Sequence, residues 1–146
     1  MREKLLDDLR LLKKQRYWLR YSIDECSAID PAKPLEPKEF GAYETLCSRY
    51  GRSIDFLIRK IFRTIDAYEF ENTGTLIDVV NNAAKRGLVD DVDRLRQMKD
   101  LRNQIVHEYI EENLLELWRE VMEESRELDR LMERTIAYIE RLAANS

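Results

Sequence analysis

Residues 114–143 read LLELWREVMEESRELDRLMERTIAYIERLA, and this stretch decides the fold class. Leu114, Trp118, Val121, Ser125, Leu128, Met132, Thr135, Ile139 and Leu142 follow one another in steps of four and three. That rhythm is a near-heptad seam, which keeps one stripe of a helix turned toward a neighbour and suits antiparallel packing at a shallow angle. At 1.5 Å per residue the helix would run about 45 Å, longer than a compact bundle of this size needs. Glu and Arg fill its other face and read as solvated. Asn113 with Glu116 three residues on reads as its cap.

The same periodicity recurs upstream. Val92, Leu95, Met98, Leu101, Ile105 and Val106 form the buried face of a helix that Asp90 or Asp91 can cap, with Asp93 near its positive end. Before it, Thr75 and Asp78 resemble a capping box for a short helix, about Leu76 to Lys85, that Gly87 terminates in the left-handed conformation. Asn72-Thr73-Gly74 is a turn signal. From about Pro37 to Glu69, Phe40, Tyr43, Cys47, Tyr50, Ile54, Leu57, Ile58, Ile61, Phe62 and Ile65 trace a long apolar stripe, and Gly51 in its middle marks a bend or a close helix crossing. Three prolines at 31, 34 and 37 make the preceding segment a loop. The first helix, about Glu3 to Ile29, repeats Leu5, Leu9, Leu12, Leu19, Ile23 and Cys26. Arg16 fills the gap, and Leu6, Tyr17, Trp18 and Tyr21 widen the stripe. The expectation is one all-α domain spanning residues 1–146, an antiparallel bundle of four main helices plus one short helix.

Composition agrees. Among 146 residues, 37% are charged and 44% hydrophobic, with four Gly and three Pro, which favours a helical protein over a β-sandwich or a disordered chain. No apolar run approaches the roughly 20 residues that span a bilayer. The first residues, Met1 to Asp8, carry no apolar signal core, so the expected location is the cytoplasm. Cys26 and Cys47 read as buried small hydrophobes rather than a disulfide, and with one His and no Cys-x-x-Cys they make no zinc site. There is no internal repeat and no Gly-rich phosphate loop.

The net charge of −4 is uneven: residues 1–63 carry 14 Lys/Arg against 10 Asp/Glu, and residues 64–146 carry 11 against 19. A long nucleic-acid track asks for a basic protein, so any such contact here must be local. Two basic clusters could touch RNA, Lys13, Lys14, Arg16 and Arg20 beside aromatics on the first helix, and Arg59, Lys60 and Arg63 on the second. Such faces are more often simply solvated, and the charge asymmetry reads as two solvated helix faces that could attract one another between subunits.

The chemistry concentrates in Arg102-Asn103-Gln104-Ile105-Val106-His107-Glu108-Tyr109, which holds the only histidine. Histidine titrates near neutral pH, and arginine presents a fixed fork of donors to a phosphate. At about 100° per residue, Arg102 and His107 lie roughly 140° apart on a helix. Asn103 and His107 share a face, as do Arg102 and Tyr109. Asn103 can therefore orient the imidazole, while one helix alone makes a poor active site. Two copies around a two-fold axis would gather both sets at one groove. There a neutral imidazole could take the proton of an RNA 2′-OH, a charged one could protonate the leaving 5′-oxygen, and Arg102 could hold a phosphate oxygen. The same residues also read as an oriented helix-end histidine, an ion-paired arginine and a packed tyrosine.

Arg-Asn-x-x-x-His-x-Tyr, ahead of a helix bearing Trp118, resembles the signature of the HEPN superfamily and is most similar to the HepT-like ribonuclease toxins of HepT/MntA toxin–antitoxin pairs. With the helix order, the likeness extends over nearly the whole chain. It implies a homodimeric, metal-independent endoribonuclease needing no cofactor, with Arg102, His107 and Asn103 at a dimer cleft. It also implies an MntA-like nucleotidyltransferase antitoxin that transfers AMP from ATP to Tyr109, adding bulk and negative charge where RNA phosphate would sit. The dimer is expected to join the motif helix with the first or second helix. The acidic total departs from what a ribonuclease suggests. Two other readings compete: a non-catalytic substrate-binding or regulatory subunit of a small nucleotidyltransferase, and a plain helical dimerisation module.

Overall fold

In the computed structural model, residues 1–69, 74–107 and 114–145 are described, with side chains for all of these except Val106 and His107. Helix α1 (Arg2–Ser27) leads through the proline loop to α2 (Pro37–Phe56). A single π-helical turn (Leu57–Ile61) joins α2 without a break to α3 (Phe62–Tyr68). Helix α4 (Leu76–Lys85), α5 (Val92–His107) and α6 (Leu114–Ala144) complete the chain. Among the described residues there is no strand, and the all-α bundle of four main helical rods plus one short helix stands as the sequence pattern predicts.

Local chemistry sets the boundaries. Pro37 opens α2, where Glu36 and Glu39 form a capping box. Thr75 and Asp78 form another at α4, and Asp78 is held below the usual carboxylate range by its hydrogen bonds from Thr75. Gly87, at φ +76°, ends the short helix in the left-handed region. At α5 the capping residue is Asp91, whose Oδ1 accepts from the backbone N–H groups of Asp93 and Arg94. The cap expected at Asn113 lies outside the described residues.

Polar links fix how the rods run. Arg2 reaches the carbonyl of Ala143, Lys13 pairs with Glu140, Arg16 with Asp129, and Arg126 with Ser27, so α1 and α6 are antiparallel. Arg49 donates to Ser22, and Thr64 to Asp8, so α1 also runs against the α2–α3 rod. All the residues of the α6 seam are buried except Leu142, which packs partly buried against the core. At the other end Trp118 stacks on Tyr43, with ring centroids 4.8 Å apart and planes at 3°, and takes the edge of Phe40.

One expectation needs correction, and two open readings are resolved. Leu6, Tyr17, Trp18 and Tyr21 do not widen the core stripe of α1; all four are exposed, because their positions turn past the flanks of α2 and α6. The uneven charge attracts within the chain: Lys13, Arg16 and Arg20 of α1 face Glu140, Asp129 and Glu133 of α6. Gly51 marks a close crossing rather than a bend, for a Cβ there would lie 3.5 Å from Cγ of Arg102 on α5. The irregularity comes later, at the π turn.

Two buried acids and one half-buried one have partners the periodicity could not supply. Asp8, 1% exposed, accepts from Thr64 at 2.6 Å and from Lys4. Asp66, fully buried, and Glu69 share Arg86, and Tyr138 donates to Glu69 at 2.6 Å. Burial and that bond push the Tyr138 phenol up. This network ties α3, the turn after α4, and α6 together. Cys26 and Cys47 are free and buried, as their reading predicts, and burial pushes both thiols up to about 12.

Candidate functional site

The predicted site lies at the end of α5. Leu95, Met98 and Leu101 bury one face of that helix. Tyr50 of α2 donates to the Met98 carbonyl at 2.7 Å, which fixes α5 against α2 where Gly51 permits close approach. Arg94 binds Glu124 on α6, anchoring the other side. Arg102 then emerges at the border of core and solvent, with its side chain 31% exposed.

Its guanidinium is held. Nε and Nη2 both donate to Oδ2 of Asp55, at 3.2 and 2.9 Å, and Nη1 donates to Oδ1 of Asn103 at 3.4 Å. Three of its five N–H groups are engaged, and two have no partner among the described residues. Asp55 is equally half-buried, so the pair is partly desolvated, and its two-donor geometry fixes direction more than it adds stability. Asp55 escaped the sequence reading. It lies 47 residues from Arg102, and the signal that could have found it is a lone acid four residues beyond Gly51, on the same face of α2.

Asn103 is exposed on α5, and its carbonyl oxygen faces Arg102. The backbone of His107 closes the last turn of α5. The orientation of its ring toward Asn103, and all of Tyr109, lie outside the described residues. The structure thus brings Arg102, Asn103 and Asp55 together on one chain. No three His, Cys, Asp or Glu side chains gather as a metal site among the described residues, and no described helix is long and apolar enough to cross a membrane.

The basic clusters fare differently. Lys13, Arg16 and Arg20 are neutralised by α6 carboxylates, and Lys60 approaches Asp8. Lys14 has turned to the opposite side of α1, into a groove shared with Arg49 and Arg52 of α2.

Comparison with known families decides the relationship: the family described as Ribonuclease HepT-like matches residues 52–135. The chain belongs to the HepT-like ribonuclease family. The matched span holds Asp55, Arg102, Asn103, His107 and Tyr109. It is shorter than the near-complete coverage expected from helix order, since α1 and most of α2 precede it. Searches of curated proteins and of solved structures returned no match. Within this HepT-like chain, then, the segment carrying the motif and its Asp55 counter-charge is the part shared with the family.

Proposed function

We propose that the chain is a metal-independent endoribonuclease toxin, active as a homodimer, with Arg102 and His107 of both copies around one cleft. The observation that carries this reading is Arg102 itself. It stands in the motif of a ribonuclease family, partly exposed, aimed by Asp55, with two N–H groups unpartnered among the described residues. In the proposed reaction, neutral His107 of one copy removes the 2′-OH proton. The 2′-oxygen attacks the adjacent phosphorus while Arg102 binds a non-bridging oxygen and stabilises its growing charge. The partner subunit's His107, protonated, gives its proton to the departing 5′-oxygen. The products are a 2′,3′-cyclic phosphate and a 5′-hydroxyl. Asn103 orients the imidazole.

Neutralisation follows from the same chemistry. A cognate nucleotidyltransferase antitoxin of the MntA type would join the Tyr109 phenolic oxygen to the α-phosphorus of ATP and release pyrophosphate. The added AMP would bring a negative charge and bulk beside Arg102.

The test is cleavage of a defined RNA in EDTA with end-group analysis. Cutting that leaves a cyclic phosphate and vanishes in His107→Ala supports the reading; cutting that needs added metal, or survives that substitution, refutes it. Incubation with the antitoxin and ATP should raise the intact mass by whole AMP units on Tyr109. A tight complex with that enzyme and no RNA cutting would instead mark a non-catalytic subunit.

A further inference from the structure

We propose that the groove between α1 and α2, lined by Lys14, Trp18, Arg49, Arg52 and Phe56, is a subsite for single-stranded RNA beside Arg102. The proposal rests on the ribonuclease reading and extends it to substrate class. The groove encloses about 430 Å³, within the ~300–1,000 Å³ of clefts that hold small ligands and enough for a nucleotide.

Its charge is unanswered. Arg49 donates only to neutral oxygens, the Ser22 hydroxyl at 2.7 Å and the Trp18 carbonyl at 3.4 Å. Arg52 donates to the Ser48 hydroxyl at 2.7 Å. Among the described residues, neither these two nor Lys14 pairs with a carboxylate, and no carboxylate lines the groove. The groove on the other side of α1 shows the contrast: Lys13, Arg16 and Arg20 are cancelled there by α6 acids. Among its described residues, a chain with a net charge of −4 therefore keeps three cations without a carboxylate partner in one place.

Aromatic surface accompanies them. Trp18 is 48% exposed, and the Arg49 guanidinium lies 4.9 Å from its ring centroid. Tyr17 and Tyr21 set their edges against the same indole and are themselves exposed. Cations beside open π faces are the chemistry that holds single strands, where bases stack on aromatic or guanidinium planes and phosphates take the charge. Position completes the case. One turn of α2 directs Asp55 to Arg102 and Arg52 and Phe56 into the groove, so a strand with its scissile phosphate at Arg102 can continue into it.

The probe is a labelled ten-nucleotide 2′-O-methyl oligouridylate, which cannot be cut because its 2′-oxygen carries no proton. Expected are binding by the wild type and by His107→Ala alike, and quenching of tryptophan emission. Trp118 is 2% exposed, so quenching reports Trp18. Trp18→Ala should weaken binding roughly five- to a hundredfold, the range for loss of one stacked base. Arg52→Gln, at an exposed position that leaves the fold intact, should lower the slope of log affinity against log salt by about 0.7. Unchanged affinity in both variants overturns the proposal. So does a fall in solution mass on Trp18→Ala, which would make the groove an interface with a second copy. Cutting assays on the same preparations separate the two readings: oligonucleotide binding that depends on Trp18 without cutting sinks only the ribonuclease, and cutting with groove-independent binding sinks only the subsite.

Discussion

Replacing Asp55 by Asn keeps the shape and one acceptor oxygen but removes the counter-charge that aims Arg102. At about 4 Å between charge centres, the Coulomb term is about 1 kcal/mol in water and about 4 kcal/mol at an effective dielectric of 20. Both side chains are 31% exposed, which places the pair toward the lower end, near 1 kcal/mol. Stability should therefore drop by no more than about 1 kcal/mol, or about 2–4 °C in Tm. Catalysis should suffer more. Removing a group that stabilises transition-state charge outright costs about 10²–10³ in kcat, and a guanidinium left in place but free to wander should lose part of that, about 10- to 100-fold. KM should stay level or fall, since a negative charge has left the neighbourhood of the scissile phosphate. The assay is cleavage of a fluorogenic RNA in EDTA, with kcat and KM resolved and melting followed in parallel. A kcat within twofold of wild type would refute the positioning argument, and a stability loss above about 3 kcal/mol would show that the pair holds the fold instead.

Other consequences follow from the buried groups. Arg86→Met leaves the carboxylate side chain of Asp66 fully buried without its main partner, so urea titration should show a loss of about 3–5 kcal/mol, whereas a change below 1 kcal/mol would contradict the network. Cys26 and Cys47, with thiols pushed to about 12, should ignore a disulfide reagent at pH 8 in the native protein and both react in denaturant; because the folded state retains these protons longer than the unfolded chain, stability should fall as pH rises from about 9 toward 12. Gly51→Ala should keep activity and gain up to about 1 kcal/mol of stability, because the new methyl would meet Cγ of Arg102 at ordinary contact distance. Gly51→Leu should push that stem aside and lower kcat, and full activity in this variant would show that Arg102 does not depend on the crossing.

Most of the fold was legible because apolar periodicity and capping chemistry are local. The steps of four and three in α6, the Thr75–Asp78 box and the left-handed Gly87 each announce an element within a few residues. What escaped is what depends on distance through space. Nothing near Asp55 in sequence except Gly51 points to Arg102, nothing near Asp8 points to Thr64, and Trp18 counts as core by hydropathy although its position on α1 turns it outward. The site divided along the same line. Arg102 and Asn103 were found by residue type and spacing, while the acid that aims the guanidinium comes from another helix. The basic face of α1 looked uniform in sequence, yet docking against α6 silences Lys13, Arg16 and Arg20 and leaves Lys14 alone to turn toward Arg49 and Arg52.

The wide turn at Leu57–Ile61 has a bearing on how this chain tolerates insertion and deletion. Upstream of it the rod serves Arg102 through Asp55; downstream it serves Asp8 through Thr64. Deleting one residue there would restore regular winding with the two halves still in phase, whereas winding all the residues regularly would rotate one half against the other by about 100°. Either the guanidinium or the buried acid would then lose its mate. The wide turn takes up the extra residue, so that a single rod keeps both obligations in phase.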